Sequence, residues 1–204
     1  RTLTALALAA DPTLPSALPG VTVQAVAGMF PHTPLGHIKD NLPPVIDGLV
    51  GQALVDKPMV LVALATIRAE TEGFEPISEG LSRYNTSPGG HPFDLYDRRA
   101  DLGNSKKFDG ERYRGRGYVQ LTGRDNYQRY GKLLGVPLLT DPGLANDPAV
   151  AGRILAAFLK DKEIVIKRAL LANDLAAARR AVNGGSHGLD RFSDAYRRGQ
   201  TLIA

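Results

Sequence analysis

The chain has 204 residues, 43% of them apolar and 23% charged, enough for one sizeable core and too few unbroken apolar residues for a membrane span, since no run reaches the roughly 18 that a bilayer requires. It contains no cysteine, which excludes disulfide staples and thiolate metal or redox sites and points away from a secreted eukaryotic origin. The formal charge of +4 and a pI near 9.4 favour anionic surfaces such as bacterial wall, phospholipid or nucleic acid without choosing among them.

Residues 1–20 combine an Ala/Leu patch with three prolines, which predicts a short helix followed by an extended connector. The first residue is Arg1 and no charged-then-apolar leader follows, so the expectation is a trimmed native N-terminus, with any export signal removed or delivery relying on something else. Residues 1–30 are expected to be an extension packed on a domain that spans 31–204. Val21 to Phe30 reads as a short helix ending at the Pro31-His32-Thr33-Pro34 turn. Thr33 and Pro34 then suit the cap and first residue of a helix to Asn41, with Pro43 and Pro44 starting another through Leu54. His32 and His37 lie five apart, a spacing that does not stack ligands on one helix face, and no acidic cluster accompanies them. No metal site is expected there.

Pro58 to Gly73 is the most apolar helix candidate. Met59 to Ile67 is apolar all round, which predicts a buried helix, with Pro58 in the first turn and Gly73 as the stop. Arg68 and Glu70 sit at its C-terminal end. A carboxylate there faces the negative end of the helix dipole, an unfavourable place for a charge and therefore a candidate proton donor. The structural alternative is a solvated surface glutamate.

The long polar segment from Ile77 to Phe108 is predicted to be functional loop. Its Asp94, Asp97 and Asp101 lack the downstream glutamate of an EF-hand, so calcium is excluded. Asp109-Gly110 is a hairpin-type turn signal, and Tyr113 to Leu121 alternates like a strand, with Gly115 and Gly117 marking a bulge or a close approach of backbone to a ligand. A phosphate-binding loop is excluded because no Lys-Ser/Thr follows at the right offset. Thr122 suits the cap of a helix from Gly123 to Leu134, stopped by Gly135, with Tyr127 and Tyr130 on one face. The rest reads as helical: Asp147-Pro148 to Leu159, about Asp161 to Ala172, a helix capped by Asp174 through Val182 and broken at Asn183-Gly184-Gly185, and Leu189 to Leu202 with Phe192, Tyr196 and Leu202 on a core stripe.

Three separated segments, A-E-T-E-G-F at 69–74, Y-R-G-R-G-Y-V-Q-L-T-G-R-D-N-Y at 113–127, and V-N-G-G followed by G-L-D-R at 182–191, resemble the family 19 glycoside hydrolases over about residues 30–203. The closer likeness is to the branch of bacteriophage endolysins and bacterial chitinase-like proteins. The resemblance implies a mainly α, lysozyme-like fold of two lobes, with a long loop and short β-hairpin region beside a sugar-binding cleft. It also implies a glycosidase that cleaves β-1,4 bonds next to N-acetylated sugars without a cofactor or metal.

On that likeness Glu70 takes the place of the general acid and Glu79, nine residues on, that of the second carboxylate, with Glu75 as a nearby decoy. Thr122 matches the hydroxyl that holds the attacking water. Tyr118, Gln120, Asn126 and Asn183 match cleft-lining positions, and Arg191 a basic residue near the carboxylates. Four positions have a structural alternative: Arg191 as an ion-pair partner of Glu70 or Asp190, Asn183-Gly184 as a helix C-cap, Thr122 as an N-cap, Tyr118 as core filling. The chain departs from the plant chitinases in having Ala69 before the acid, Glu72-Gly73-Phe74 after it and no tryptophan.

The implied function is hydrolysis of peptidoglycan between N-acetylmuramic acid and N-acetylglucosamine by an inverting mechanism. A monomer is expected, acting on the bacterial wall outside the cytoplasmic membrane. Chitin is the runner-up substrate. A non-catalytic wall-binding module is the alternative of another class, and retention of both carboxylates argues against it. No membrane insertion is expected. Nucleic-acid binding would rest only on the Arg112-Arg114-Arg116 run and is rejected.

Overall fold

A computed structural model describes residues 18–204; the expected helix and connector of residues 1–17 lie outside the described residues. The chain opens with α1 (Val23–Met29), whose first turn is closed by the Thr22 hydroxyl accepting from the Ala25 N–H at 3.1 Å. Next comes α2 (Leu35–Gly51), one continuous helix in place of the two expected around Pro43 and Pro44. Each proline removes a hydrogen bond to the carbonyl four residues back. Those carbonyls belong to Lys39 and Asp40, both exposed, while Ile38, Leu42, Val45, Ile46 and Leu49 are buried along the inner face. Packing of that face outweighs the prolines. Thr33 does not cap α2; its hydroxyl donates to the Glu72 carbonyl instead, at 2.5 Å.

Helix α3 (Lys57–Glu70) forms as expected. The Asp56 carboxylate accepts from the Met59 N–H at its start, and every residue from Met59 to Ala69 is buried. It runs through the larger of two apolar cores, to which α1 and α2 also contribute, and packs chiefly on the last helix, α9 (Leu189–Leu202). On α9, Phe192 and Tyr196 are buried as expected. Leu202, expected on the same stripe, is 44% exposed and lies over Gly28.

The second core gathers Tyr113, Leu121, Tyr127, Tyr130 and Leu138 around one side of α6 (Pro148–Lys160), whose other side belongs to the first core. Asp147 caps α6 through the N–H groups of Ala149 and Val150. The axis of α6 lies close on α2. A Cβ at Gly48 would collide with the Gly152 carbonyl, and one at Gly152 with the Pro44 carbonyl, so the two backbones touch. This contact couples the two cores.

Between them the polar segment is more ordered than a loop. It holds 3-10 turns at Asp94–Tyr96 and Ala100–Leu102, and the Asp97 carboxylate accepts from the Phe108 and Gly110 N–H groups at 2.9 Å each. Asp109-Gly110, expected as a hairpin turn, opens the short helix α4 (Asp109–Arg112). The expected strand over Tyr113–Leu121 shrinks to β2 (Arg116–Gly117), antiparallel to β1 (Ile77–Ser78), because Gly117 and Gln120 take positive φ and turn the chain back on itself. Helix α5 (Arg124–Leu134) starts from Gly123 at φ +90°, without Thr122 as its cap, and stops at Gly135 as expected. Then follow α7 (Glu163–Leu171) and α8 (Leu175–Asn183), the latter capped by Asp174 and ended by Gly184 at φ +76°. No helix among the described residues is long and apolar enough to cross a membrane.

Candidate active site

Glu70 is the last residue of α3, at the floor of a cleft of about 500 Å³. Thr66 and Glu70 line one side of the cleft, Val119, Gln120, Leu121 and Thr122 of the hairpin another, with Asn126 of α5. The remaining wall is Phe158, Lys162 and the end of α8 from Val182 to Gly184. The structure thus brings Glu70, Gln120, Thr122, Asn126 and Asn183 to one cleft, whose lining does not include Glu79. The Asn183-Gly184 pair also serves the alternative role: Gly184 is the C-cap of α8, its N–H donating to the Arg180 carbonyl, and Asn183 Oδ1 accepts from the Gly185 N–H at 3.0 Å.

The partner of Glu70 is not Arg191. Glu70 Oε1 accepts from Nη2 of Arg179 at 2.6 Å, and Arg179 is fully buried. On one side, therefore, Glu70 faces a buried guanidinium. Arg191 pairs with Glu72 at 3.0 Å, both half-exposed and neither lining the cleft. Glu75 pairs with His37 at 3.3 Å. Glu72 and Glu75 are each engaged elsewhere.

The nine-residue link from Glu70 to Glu79 is folded. Phe74 is buried edge-on against Phe30 with centroids 4.8 Å apart, the His37 ring meets the Gly73 carbonyl at 3.0 Å, and Glu72 and Phe74 both hold positive φ. Left-handed backbone at two non-glycine residues persists only where the surroundings enforce it, here Phe74 in the core and the Thr33 and His37 contacts. Beyond them, the ladder of β1 and β2 leads directly to Glu79, whose N–H donates to the Gly115 carbonyl at 2.8 Å.

Three donors hold the Glu79 carboxylate. Oε1 accepts from Asn85 Nδ2 at 2.9 Å and from the Tyr96 hydroxyl at 2.8 Å, and Oε2 from the Gly115 N–H at 3.2 Å. Burial, and then the neighbouring Glu79 carboxylate, push the Tyr96 phenol up to about 12, so Tyr96 remains the donor at neutral pH. Asn85 is itself fully buried and its Oδ1 accepts from the Ser82 N–H.

Gly115 explains how the loop meets the hairpin. A Cβ there would lie 2.9 Å from Gln120 Oε1, 3.1 Å from Glu79 Oε2 and 3.2 Å from Thr122 Oγ1. Lack of a side chain lets these three groups converge. The expected close approach of backbone is met at Gly115 by the chain's own polar groups. At Gly117 it is met by the Ala145 carbonyl, whose oxygen lies 2.8 Å from where a Cβ would stand. Thr122 donates its hydroxyl proton to the Gln120 carbonyl at 2.8 Å, Gln120 Nε2 donates to the Ile77 and Gly117 carbonyls, and Asn126 Nδ2 donates to the Thr122 carbonyl.

Tyr118 departs from the expected cleft position and takes its alternative role. It is 1% exposed, packed on Phe74 at 6.3 Å, and its phenol is pushed up by burial and by the Glu75 charge. The turn at Gly117 sends Tyr118 inward, and Val119 and Gln120 face the cleft. The arginine run is spent internally: Arg112 on the Leu139 and Thr140 carbonyls, Arg114 on the Glu111 backbone carbonyl, Arg116 on the Tyr127 hydroxyl.

Sequence reasoning missed Arg179, Asn85, Tyr96 and Lys162. For Arg179 a signal existed. It shares a helix face with Leu175, Val182 and Asn183, so an arginine stands on the inner stripe of α8. Asn85 and Tyr96 reach Glu79 through turns, which leave no periodic signal.

No family model matches the chain. Over 103 residues, 50% of this chain and 48% of the relative, it is 31% identical to a glycosyl hydrolase family 19 domain-containing protein of Haemophilus influenzae. Over 77 residues, 37% of this chain and 26% of the relative, it is 40% identical to an endochitinase of Arabidopsis thaliana. The chain spans about half the length, or less, of these curated relatives. Among solved structures, chitinase C from Streptomyces griseus superposes with a TM-score of 0.63 at 20% identity, covering 90% of this chain and 76% of that one. A bacterial family 19 chitinase superposes with a TM-score of 0.61 at 21% identity, covering 90% of this chain and 95% of that one. The chain therefore resembles the family 19 glycosyl hydrolases in sequence and has the mainly helical, lysozyme-like fold of the family 19 chitinases.

Proposed function

We propose that the chain is a glycoside hydrolase that cleaves β-1,4 bonds of N-acetylated polysaccharide by inverting acid/base catalysis, with bacterial peptidoglycan as its substrate. The observation that carries this reading is the pair of separately anchored carboxylates, Glu70 on Arg179 and Glu79 on Asn85, Tyr96 and Gly115, the first lining the cleft with Gln120 and Thr122 and the second meeting Gln120 and Thr122 at Gly115. Glu70 protonates the leaving oxygen. Glu79 takes a proton from the attacking water, and Thr122 Oγ1, beside Glu79 at Gly115, holds that water. An inverting enzyme places the two carboxyl groups roughly 6.5–9.5 Å apart to admit the water. Gln120, Asn126 and Asn183 supply amide groups to acetamido and hydroxyl groups of the sugar.

Peptidoglycan is favoured by charge. Besides Glu70, Lys162 is the charge-bearing residue type lining the cleft, its Nζ 4.6 Å from the Phe158 ring centroid, and stem peptides of the wall carry carboxylates that chitin lacks. The protein then acts as a monomer on the wall outside the cytoplasmic membrane. A chitinase is the second reading, favoured by the Arabidopsis relative named as an endochitinase.

Digestion of purified sacculi and of chitin oligomers, followed by mass spectrometry, tests both. Wild type is expected to release muropeptides with reducing N-acetylmuramic acid ends. Lys162→Gln is expected to lose about threefold to tenfold on sacculi and little on chitin oligomers, as for one lost ionic contact of about 1 kcal/mol. Turnover of chitin oligomers alone would establish the second reading. Anhydro-muramyl ends would replace water attack with an internal transfer.

A further inference from the structure

We propose that Arg179 is the positioning residue of the acid: one arm of its guanidinium grips one oxygen of Glu70 and leaves the other oxygen for the glycosidic bond. This rests on the assignment of Glu70 as the acid. Arg179 is fully buried, and a buried guanidinium requires partners. Its Nε donates to the His187 carbonyl at 2.9 Å, its Nη2 to Glu70 Oε1 at 2.6 Å, and its plane lies 5.9 Å from the Phe192 ring centroid. Nη1 has no partner among the described residues.

The grip is one-armed. A structural arginine–carboxylate pair gains most by engaging both oxygens with both arms, which would tie up the whole carboxyl group. Here Oε1 alone is held, Nη1 is spare, and Glu70 keeps 15% exposure toward the cleft. In the reaction the Glu70 proton passes to the glycosidic oxygen, the C–O bond breaks with its electron pair on that oxygen, and water supplies the hydroxyl at the anomeric carbon while Glu79 takes its proton. Glu70 is left as a carboxylate beside the guanidinium. A donor fixed beforehand where negative charge develops stabilises that charge without reorganisation.

Other charges around Glu70 are few. Lys162 stands in the cleft wall, and His187 presents its carbonyl to Arg179. On the flanking segments Glu72 is paired with Arg191 and Arg68 with Asp194. Arg179 is the one in direct contact.

The test is the pH dependence of kcat and kcat/KM on whichever substrate wild type turns over, for wild type, Arg179→Lys, Arg179→Met and Glu70→Gln. Arg179→Met is expected to lower kcat about tenfold or more with KM little changed, and to move the alkaline limb up by about one pH unit or more. Arg179→Lys restores part of the rate and brings the limb most, but not all, of the way back to its wild-type position. If Arg179→Met does not fold, Arg179→Lys still reports, because displacing the charge shifts the limb in the same direction by less. A limb that stays at its wild-type position in every folded variant would reduce Arg179 to a tie between α8 and α3. Wild-type turnover by Glu70→Gln would instead remove the acid assignment itself, so the two failures are distinguishable.

Discussion

Replacing Glu70 by Gln is expected to lower kcat by about 10²–10⁴, the contribution typical of a positioned general acid, with KM changed by far less. The amide cannot deliver a proton to the leaving oxygen. Its Oε1 still accepts from Arg179, so the ion pair becomes a neutral–charged hydrogen bond and the fold is retained at a cost of about 1–3 kcal/mol. That cost registers as a lower melting temperature, measured alongside turnover. Glu70→Ala would leave the Arg179 charge buried without a counter-charge, a loss of about 3–5 kcal/mol, and would confuse unfolding with inactivity. The Gln variant is therefore the informative one, and wild-type turnover by it would contradict the role given to Glu70.

Glu79→Gln is expected to lower kcat by about 10²–10³ through loss of the group that accepts the proton of water. Gln cannot satisfy the three donors around it. Its carbonyl can serve Asn85 and Tyr96, but its amide then points an N–H at the Gly115 N–H. Local disturbance of the hairpin accompanies the lost chemistry. Tyr96→Phe separates the two effects, because it removes one donor and leaves the carboxylate. A loss of about tenfold or less is expected for Tyr96→Phe, and equal losses for Tyr96→Phe and Glu79→Gln would make Glu79 a structural group.

What was legible in the sequence follows from where the information is local. Pro58, Asp147 and Asp174 at helix starts, and Gly135 and Gly184 at helix ends, announce boundaries through groups within three residues, and the structure has helices there. The uninterrupted apolar run of α3 could only be buried. Pro43 and Pro44 misled because their local penalty falls on solvent-facing carbonyls while α6 supplies the packing on the other side, a fact held more than a hundred residues away. The short strand was overread because the positive φ of Gln120 has no glycine to announce it.

At the candidate site the same division holds. Gln120, Thr122, Asn126, Asn183 and Glu70 were found through the resemblance, and the structure sets them around one cleft. Arg191 was misplaced and Arg179 missed because ion pairing across 109 residues is a tertiary choice between two nearby arginines. Tyr118 was equally suited by composition to a sugar platform or a core. Only the backbone turn at Gly117 decides it.

The most direct measurement is the anomeric configuration of freshly released products, followed by proton NMR on the substrate that wild type cleaves. Attack by a water activated at Glu79, on the face opposite the leaving group protonated by Glu70, predicts products that first appear as the α anomer and then mutarotate. Products that first appear as the β anomer would contradict the account, because retention requires a nucleophile in place of a base.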